Sequence, residues 1–305
     1  MFRKPIFDDL YDLLDFIWLN KSIILISTVC GALVVVSLSF LIPNQYESSA
    51  ILQIREKGSS QPDIGNLGGI ASLAGISLPS SSSNDGEYIL ETLKSKALLR
   101  EVLNEGKVRA NLFAASSYDF EKGKLKYKKK VYDDSTDKWV RKVDDNQKIT
   151  PSYIEIHDHK SYKKLKISRD KASNFIEISF EHPSPFFAKE FIDILIFLAN
   201  SKIKNKDLKD ATSALKYLED ELQKTTLEEI RFSISKLIEE NTNTIMLANI
   251  YEDYILIPIE PSFVPEEKSS PSRFLILVIS LIASFLISLF FIIIREILKQ
   301  NQARK

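Results

Sequence analysis

Two stretches of the sequence are apolar without interruption, and between them the apolar positions are spaced for strands and amphipathic helices. Ser22 to Ile42 (SIILISTVCGALVVVSLSFLI) and Phe274 to Ile294 (FLILVISLIASFLISLFFIII) carry no charge. At 1.5 Å rise per residue, about 20 apolar residues cross a hydrocarbon core of roughly 30 Å. Each stretch therefore predicts a transmembrane helix, at 22–42 and 274–294. A cleaved signal peptide is the alternative for the first. Its apolar run is longer than such a peptide needs, and the residues before it are acidic (Asp8, Asp9, Asp12, Asp15). Leu41-Ile42-Pro43-Asn44 also lacks the small residues of a cleavage site. A buried core helix is the alternative for the second, but a soluble helix of that length shows a polar stripe.

Two spans leave both ends of the chain on one side. Arg3, Lys4 and Lys21 flank the first, and Arg295, Lys299, Arg304 and Lys305 follow the second. Basic short flanks favour the cytoplasm, while long loops translocate largely regardless of charge. The expected order is a cytoplasmic tail (1–21), the first span, an extracytoplasmic domain (43–273), the second span and a cytoplasmic tail (295–305).

Inside the domain, Tyr46 to Arg55 alternates as a half-buried strand does, with Ala50, Leu52 and Ile54 on one face. A Gly/Ser-rich loop spans 57–86 and lacks the Gly-Lys-Ser/Thr ending of a phosphate-cradling loop. A helix is expected over 87–105, capped by Asn84 or Asp85 and stopped by Gly106. Leu165–Ser168 and Phe175–Glu181 read as a hairpin. Ser184-Pro185 opens a long helical region, 184–248, with serine as N-cap and proline at the first helical position. Within it, Leu208, Ala211, Leu215, Leu218 and Leu222 are spaced 3, 4, 3, 4, a heptad seam. Thr225 and Thr226, each three residues before a glutamate (Glu228, Glu229), fit capping boxes and mark a bend or hairpin. A second helix follows through Ile230 and Ile234. Tyr254–Ile259 reads as a strand that Pro258 confines to an edge or an end. A proline-rich segment, 258–273, then carries Pro261, Pro265 and Pro271 as a stiff strut to the second span.

Composition adds mostly exclusions. The 41 basic and 41 acidic residues balance, which gives no reason to expect nucleic acid. Cys30 is the single cysteine, so no intrachain disulfide forms. His157 and His159 would share a face on a strand, but no third or fourth metal ligand lies near them. No nucleophile elbow, Walker motif or kinase loop is present, so no catalytic residue, cofactor or metal is expected. The run Lys122–Lys130 has two readings. Lys126, Lys128, Lys129 and Lys130 could meet an anionic glycan or lipid phosphate, or they could guard a solvated edge strand.

In their order, four pieces resemble the Wzz-type polysaccharide co-polymerases, the chain-length determinants of bacterial surface polysaccharides. These are DDLYDLLDFIW before the first span, YESSAILQI after it, the stretch Tyr217–Ala248, and IEPSFVPEEKSSPSRFLI at 259–276. The resemblance implies an α+β fold: a small mixed sheet at a membrane-proximal base, with a long helix or helical hairpin projecting from it. It also implies a homo-oligomeric ring in the inner membrane and a periplasmic bulk. The implied partners are a Wzy-type polymerase and a lipid-linked glycan, and the implied role is non-enzymatic control of glycan length, O-antigen included. The alternative is an export or kinase-adaptor component for capsule or exopolysaccharide. A seam on the long helix suits contacts between ring neighbours, which makes Leu208, Ala211, Leu215, Leu218, Leu222, Ile230 and Ile234 the candidate interface. The family's second span is often rich in glycine; here its small residues are Ser280, Ala283, Ser284 and Ser288.

Overall fold

A computed structural model describes residues 17–55, 81–145 and 147–303. Along them run α1 (Lys21–Ser39), β1 (Tyr46–Ile54), α2 (Ser81–Lys94), α3 (Lys96–Val102), α4 (Val108–Ala114), β2 (Ala115–Asp119), β3 (Lys124–Tyr127), β4 (Tyr132–Asp133) and β5 (Lys138–Trp139). Then come α5 (Tyr153–His157), a 3-10 turn (Tyr162–Lys164), β6 (Leu165–Arg169), β7 (Phe175–His182), α6 (Pro185–Lys224), α7 (Glu228–Ile250), β8 (Leu256–Glu260) and α8 (Arg273–Ala303). The chain divides into two compact units: Met1–Gln45 with Lys268–Lys305, and Tyr46–Glu267.

The larger unit is α+β around a four-stranded sheet in the order β6-β7-β1-β8. β1 follows the predicted alternation, burying Tyr46, Ser48, Ala50, Leu52 and Ile54. It pairs with β7 along its length (Tyr46 opposite His182, Ala50 opposite Ile178) and with the shorter β8 on its other side. Every ladder is antiparallel, so the sheet is not the mixed one expected. The reason is topological. β7 and β8 run parallel to each other across the long helical excursion, but β1 is inserted between them and opposes both. β8 is an edge strand, as Pro258 requires. The β6–β7 hairpin turns through Asp170, whose carboxylate accepts from the Ala172 amide (3.0 Å) and the Ser173 hydroxyl (2.6 Å). Asn174 closes the turn at φ 62°, a conformation that asparagine tolerates.

α6 lays its first half on this sheet. The Ser184 hydroxyl accepts from the Phe187 amide (3.2 Å), the predicted cap. Phe187 and Phe191 pack with Phe180 of β7, and the Phe180 and Phe191 rings are 4.5 Å apart. Each such buried ring contributes roughly 1.5–3 kcal/mol by leaving water. The helix expected over 87–105 is two helices. α2 begins at Ser81, so Asn84 and Asp85 lie within it and not at its start. The Ser95 hydroxyl accepts from the Leu98 amide (3.1 Å) and starts α3 afresh. That break lets each helix turn its own apolar face to the core, through Ile89 and Leu93 on α2 and Leu98, Leu99 and Val102 on α3.

The smaller unit is an antiparallel pair, α1 against α8. Both helices are long and apolar enough to cross a membrane, and most of their surface is exposed, unlike a core helix. The predicted N-terminal tail lies mainly outside the described residues, as does most of the 57–86 loop.

Candidate functional site

The long helical region is a hairpin. α6 runs 40 residues, about 60 Å at 1.5 Å per residue. α7 returns antiparallel along its second half, so that Tyr251, just past α7, lies beside Lys204 (Lys204 Nζ to Tyr251 O, 3.4 Å). The heptad seam is the surface that α6 presents to α7. Ala211 is buried, while Leu208, Leu215, Leu218 and Leu222 are half-buried. From α7, Ile234 (6% exposed) and Ala248 close the seam. A spacing of 3 and 4 specifies a helical partner without saying which chain supplies it, and here the chain supplies its own.

Of the candidate interface residues, Ile230 is exposed and the rest line this intrachain seam to differing depth. Beside the seam, the hairpin also carries exposed apolar residues. Phe232 is 75% exposed and Tyr217 67%, with Leu227, Leu237 and Met246 also open to solvent.

The reversal is made differently from the predicted capping boxes. Thr225 ends α6 and Leu227 precedes α7, with no side-chain cap at either threonine. Arg231 clasps the bend instead. Its Nη1 donates to the carbonyls of Leu222 (2.9 Å) and Thr225 (3.1 Å), two of the acceptors a helix end leaves without partners. Lys224 in the last turn of α6 and Glu228 and Glu229 in the first turn of α7 also suit the helix dipoles.

At its base the hairpin is tied to the sheet by buried polar groups. Asn200, 3% exposed, accepts at Oδ1 from the amides of Ile255 (3.0 Å) and Leu256 (2.9 Å) and donates from Nδ2 to the Leu256 carbonyl (3.0 Å). The Tyr254 hydroxyl donates to Asp207 (2.9 Å). Arg55 donates to the Tyr254 carbonyl (3.0 Å) and stacks over the Tyr251 ring at 3.9 Å. His182, wholly buried at the end of β7, accepts at Nδ1 from the Ser184 amide (3.1 Å), so its Nε2–H donates to the Asn111 carbonyl (3.1 Å). Burial pushes its pKa down to about 4.

The lysine run falls on the β2–β3 ribbon and the turn after it. Lys126 pairs with Asp119 (3.0 Å) and holds that carboxyl below the usual carboxylate range. Lys128, Lys129 and Lys130 are exposed. His157 and His159 do not sit on a strand. Ser152 caps α5 by accepting from the Glu155 amide (3.2 Å), His157 ends that helix, and His159 stacks on Phe113 with ring centroids 4.6 Å apart. Ser152-x-x-Glu155 is the capping-box signal that announces this helix. Among the described residues, no group of three or more His, Cys, Asp or Glu side chains is placed to hold a metal.

In the smaller unit, the serines of the second span face small residues of the first. The Ser27 and Ser288 hydroxyls are 2.5 Å apart. A Cβ added at Gly31 would stand 2.7 Å from Ser284 Oγ, so a side chain there would have to displace that serine. The segments leading into the spans are also joined. The Gln45 amide donates to the Ser270 carbonyl (2.8 Å), the Ser269 amide to the Gln45 carbonyl (2.9 Å), and Arg273 to Asn44 Oδ1 (3.2 Å). Pro271 lies between these bonded residues, whereas Pro261 and Pro265 belong to the other unit.

Two apolar helices bracketing an α+β domain with a long helical hairpin define the class. Residues 8–105 match the family model for chain length determinant proteins, Wzz. The resemblance to Wzz-type co-polymerases therefore holds, and it is carried by the first span, β1, α2 and α3. The stretches 217–248 and 259–276 lie outside that match. Among solved structures, a full-length bacterial polysaccharide co-polymerase is similar over 96% of this chain and 99% of its own, at 14% identity and a TM-score of 0.44. A fragment of WzzB, a polysaccharide co-polymerase from Salmonella Typhimurium, is similar over 74% of this chain and all of its own, at 13% identity and a TM-score of 0.34. No curated protein matches the chain.

Proposed function

We propose that this chain is a non-enzymatic regulator of polysaccharide chain length, acting in the bacterial inner membrane with a Wzy-type polymerase on a lipid-linked glycan such as O-antigen. The match of residues 8–105 to the chain length determinant family carries this reading. On it, the bulk between the spans is periplasmic and copies of the chain assemble into a ring. The half-buried seam (Leu208, Ala211, Leu215, Leu218, Leu222, Ile234) shapes the hairpin, with Ile230 and Leu237 at its open edge, and the opposite side of α7, with Phe232 and Met246, meets the neighbouring copy. A face of that kind leaves water only when a second surface covers it. The outward surfaces of the two spans are left for the polymerase, and Pro261, Pro265 and Pro271 stiffen the approach to the second of them.

The test is a gel profile of surface polysaccharide from cells with the gene deleted and then restored. Loss of a modal length, with polymer still made, is the expected result. Complete loss of surface polymer would instead point to an export or adaptor role, and an unchanged profile would sink the proposal for the glycan stained.

A further inference from the structure

The larger unit carries an aromatic cluster that the reading above does not use. Phe120 stands at the turn of the β2–β3 ribbon and is 60% exposed. Its ring is 4.9 Å from Tyr118 and 5.6 Å from Tyr46, and Tyr118 is 5.9 Å from Phe186, which is also exposed. Exposed Lys122 and Lys124 flank the tip beside two acids, Glu121 and Asp119, and Asp119 is already paired with Lys126. Exposed rings beside lysines have the composition of a membrane-interface anchor, in which aromatic bodies lie among headgroups and ammonium groups meet phosphate.

Chain connectivity says which surface is within reach. Tyr46 follows the last apolar residue of the first span, Ile42, by four residues. A fully extended chain of that length covers about 14 Å. Gln45, the residue before it, is bonded to Ser269 and Ser270, three to four residues ahead of the second span's first residue, Arg273. The covalent chain thus keeps Tyr46 within that reach of the end of the first span.

Resting on the reading that α1 and α8 cross a membrane, we propose that the β2–β3 tip is an interfacial anchor. Phe120 and Phe186, the exposed rings of the cluster, would dip into the anionic headgroup layer of the leaflet from which α1 emerges, with Lys122 and Lys124 on lipid phosphates. The anchor would hold the domain's attitude to the bilayer independently of neighbouring copies.

The full chain in nanodiscs of phosphatidylcholine with one quarter phosphatidylglycerol tests this by fluorophore quenching with nitroxide lipids. Cys30, the single cysteine, is exposed on α1 and reports the span itself. On a Cys30→Ser background, Phe120→Cys and Tyr217→Cys report the tip and the hairpin's outer face. Lys122→Cys repeats the tip measurement with Phe120 intact. The expected result is acyl-chain quenching at 30, headgroup quenching at 120 and 122 several-fold above that at 217, and a fall in tip quenching when phosphatidylglycerol is omitted. Acyl quenching at 30 with no more quenching at 120 and 122 than at 217 would overturn the anchor alone. No acyl quenching at 30 would overturn the span reading and the anchor with it.

Discussion

The two halves of α6 belong to one helix and live in different solvents. From Pro185 to Ile203 it buries Phe187, Ala188, Phe191, Ile192, Leu195, Ile196 and Ala199 against the sheet and α3. From Lys204 to Lys224 only Ala211 is buried, and the remaining seam is half covered by α7. The first half is folded by its own chain. The second is a two-helix ribbon whose outer face has no cover among the described residues, so its order depends on α7, the bend and, on the proposed function, a second copy. Most helix stability comes from packing an apolar face rather than from propensity, and the two halves should therefore answer mutation differently.

The largest contrast comes from truncating each half's central apolar contact. Phe191→Ala opens a cavity between α6 and β7 and should cost about 3–5 kcal/mol, the range for buried aromatic truncations, with cooperative loss of the whole domain in denaturant. Leu215→Ala, half-buried in the seam, should cost about 1 kcal/mol and leave the base folded. Equal costs would mean that the hairpin is as fully packed as the base. Next is Asn200→Leu. It keeps volume but strips the Ile255 and Leu256 amides and the Leu256 carbonyl of their partner. Unpaired buried backbone groups cost about 1–3 kcal/mol each where water cannot replace the bond. A total near ~3 kcal/mol is expected, with early exchange of β8 amides; exchange in β8 unchanged from the parent would refute the role of Asn200 as its dock.

Which of these features can be read from residues alone follows from their range. β1 is readable because its partner face is buried along its whole length, so period two persists from Tyr46 to Ile54. The start of α6 is readable because Ser184-Pro185 is a local signal with a local bond. The break at Ser95 is not, since apolar spacing continues across it and only the serine marks a new cap. The bend falls at the expected place for a different reason. Two threonines three residues before glutamates look like caps, but Arg231, further along α7, takes the free carbonyls. The seam poses a different problem. Heptad spacing fixes that Leu215 meets a helix, but α7 and a neighbouring copy satisfy the same pattern. Asn200 is invisible because its partners lie 55 residues away in sequence. For the exposed tip at Phe120, the sequence shows a lysine run with a tyrosine and no sign of Tyr46 or Phe186 beside it.

Acid probes the base without touching the hairpin. His182 titrates at about 4 in the fold against 6.5 for the free side chain. Between those values the unfolded chain binds more protons, so stability is fully present above pH 6.5 and falls as pH drops toward 4. The linkage relation puts the loss at about 2 kcal/mol by about pH 5. Denaturant midpoints at about pH 7 and about pH 5 measure it. His182→Asn, which can keep one of the two bonds, should start less stable but lose this increment; an undiminished acid slope would assign it elsewhere.

The smallest effect isolates the hairpin. Arg231→Ala removes the donor to Leu222 and Thr225 and exposes those carbonyls to water, which can replace the bonds at this open end. The cost should therefore be about 1 kcal/mol, near the net value of an ordinary hydrogen bond. It should also be local. Hydrogen exchange in the first turns of α7 and the last turns of α6 should quicken roughly fivefold, the equivalent of that energy, while amides of β1 and β7 keep their protection. Arg231→Lys should restore part of the protection, because one ammonium can still reach one carbonyl. If β1 and β7 loosened along with the bend, the two halves of α6 would be a single cooperative unit, and the division between a self-sufficient base and a dependent hairpin would fail.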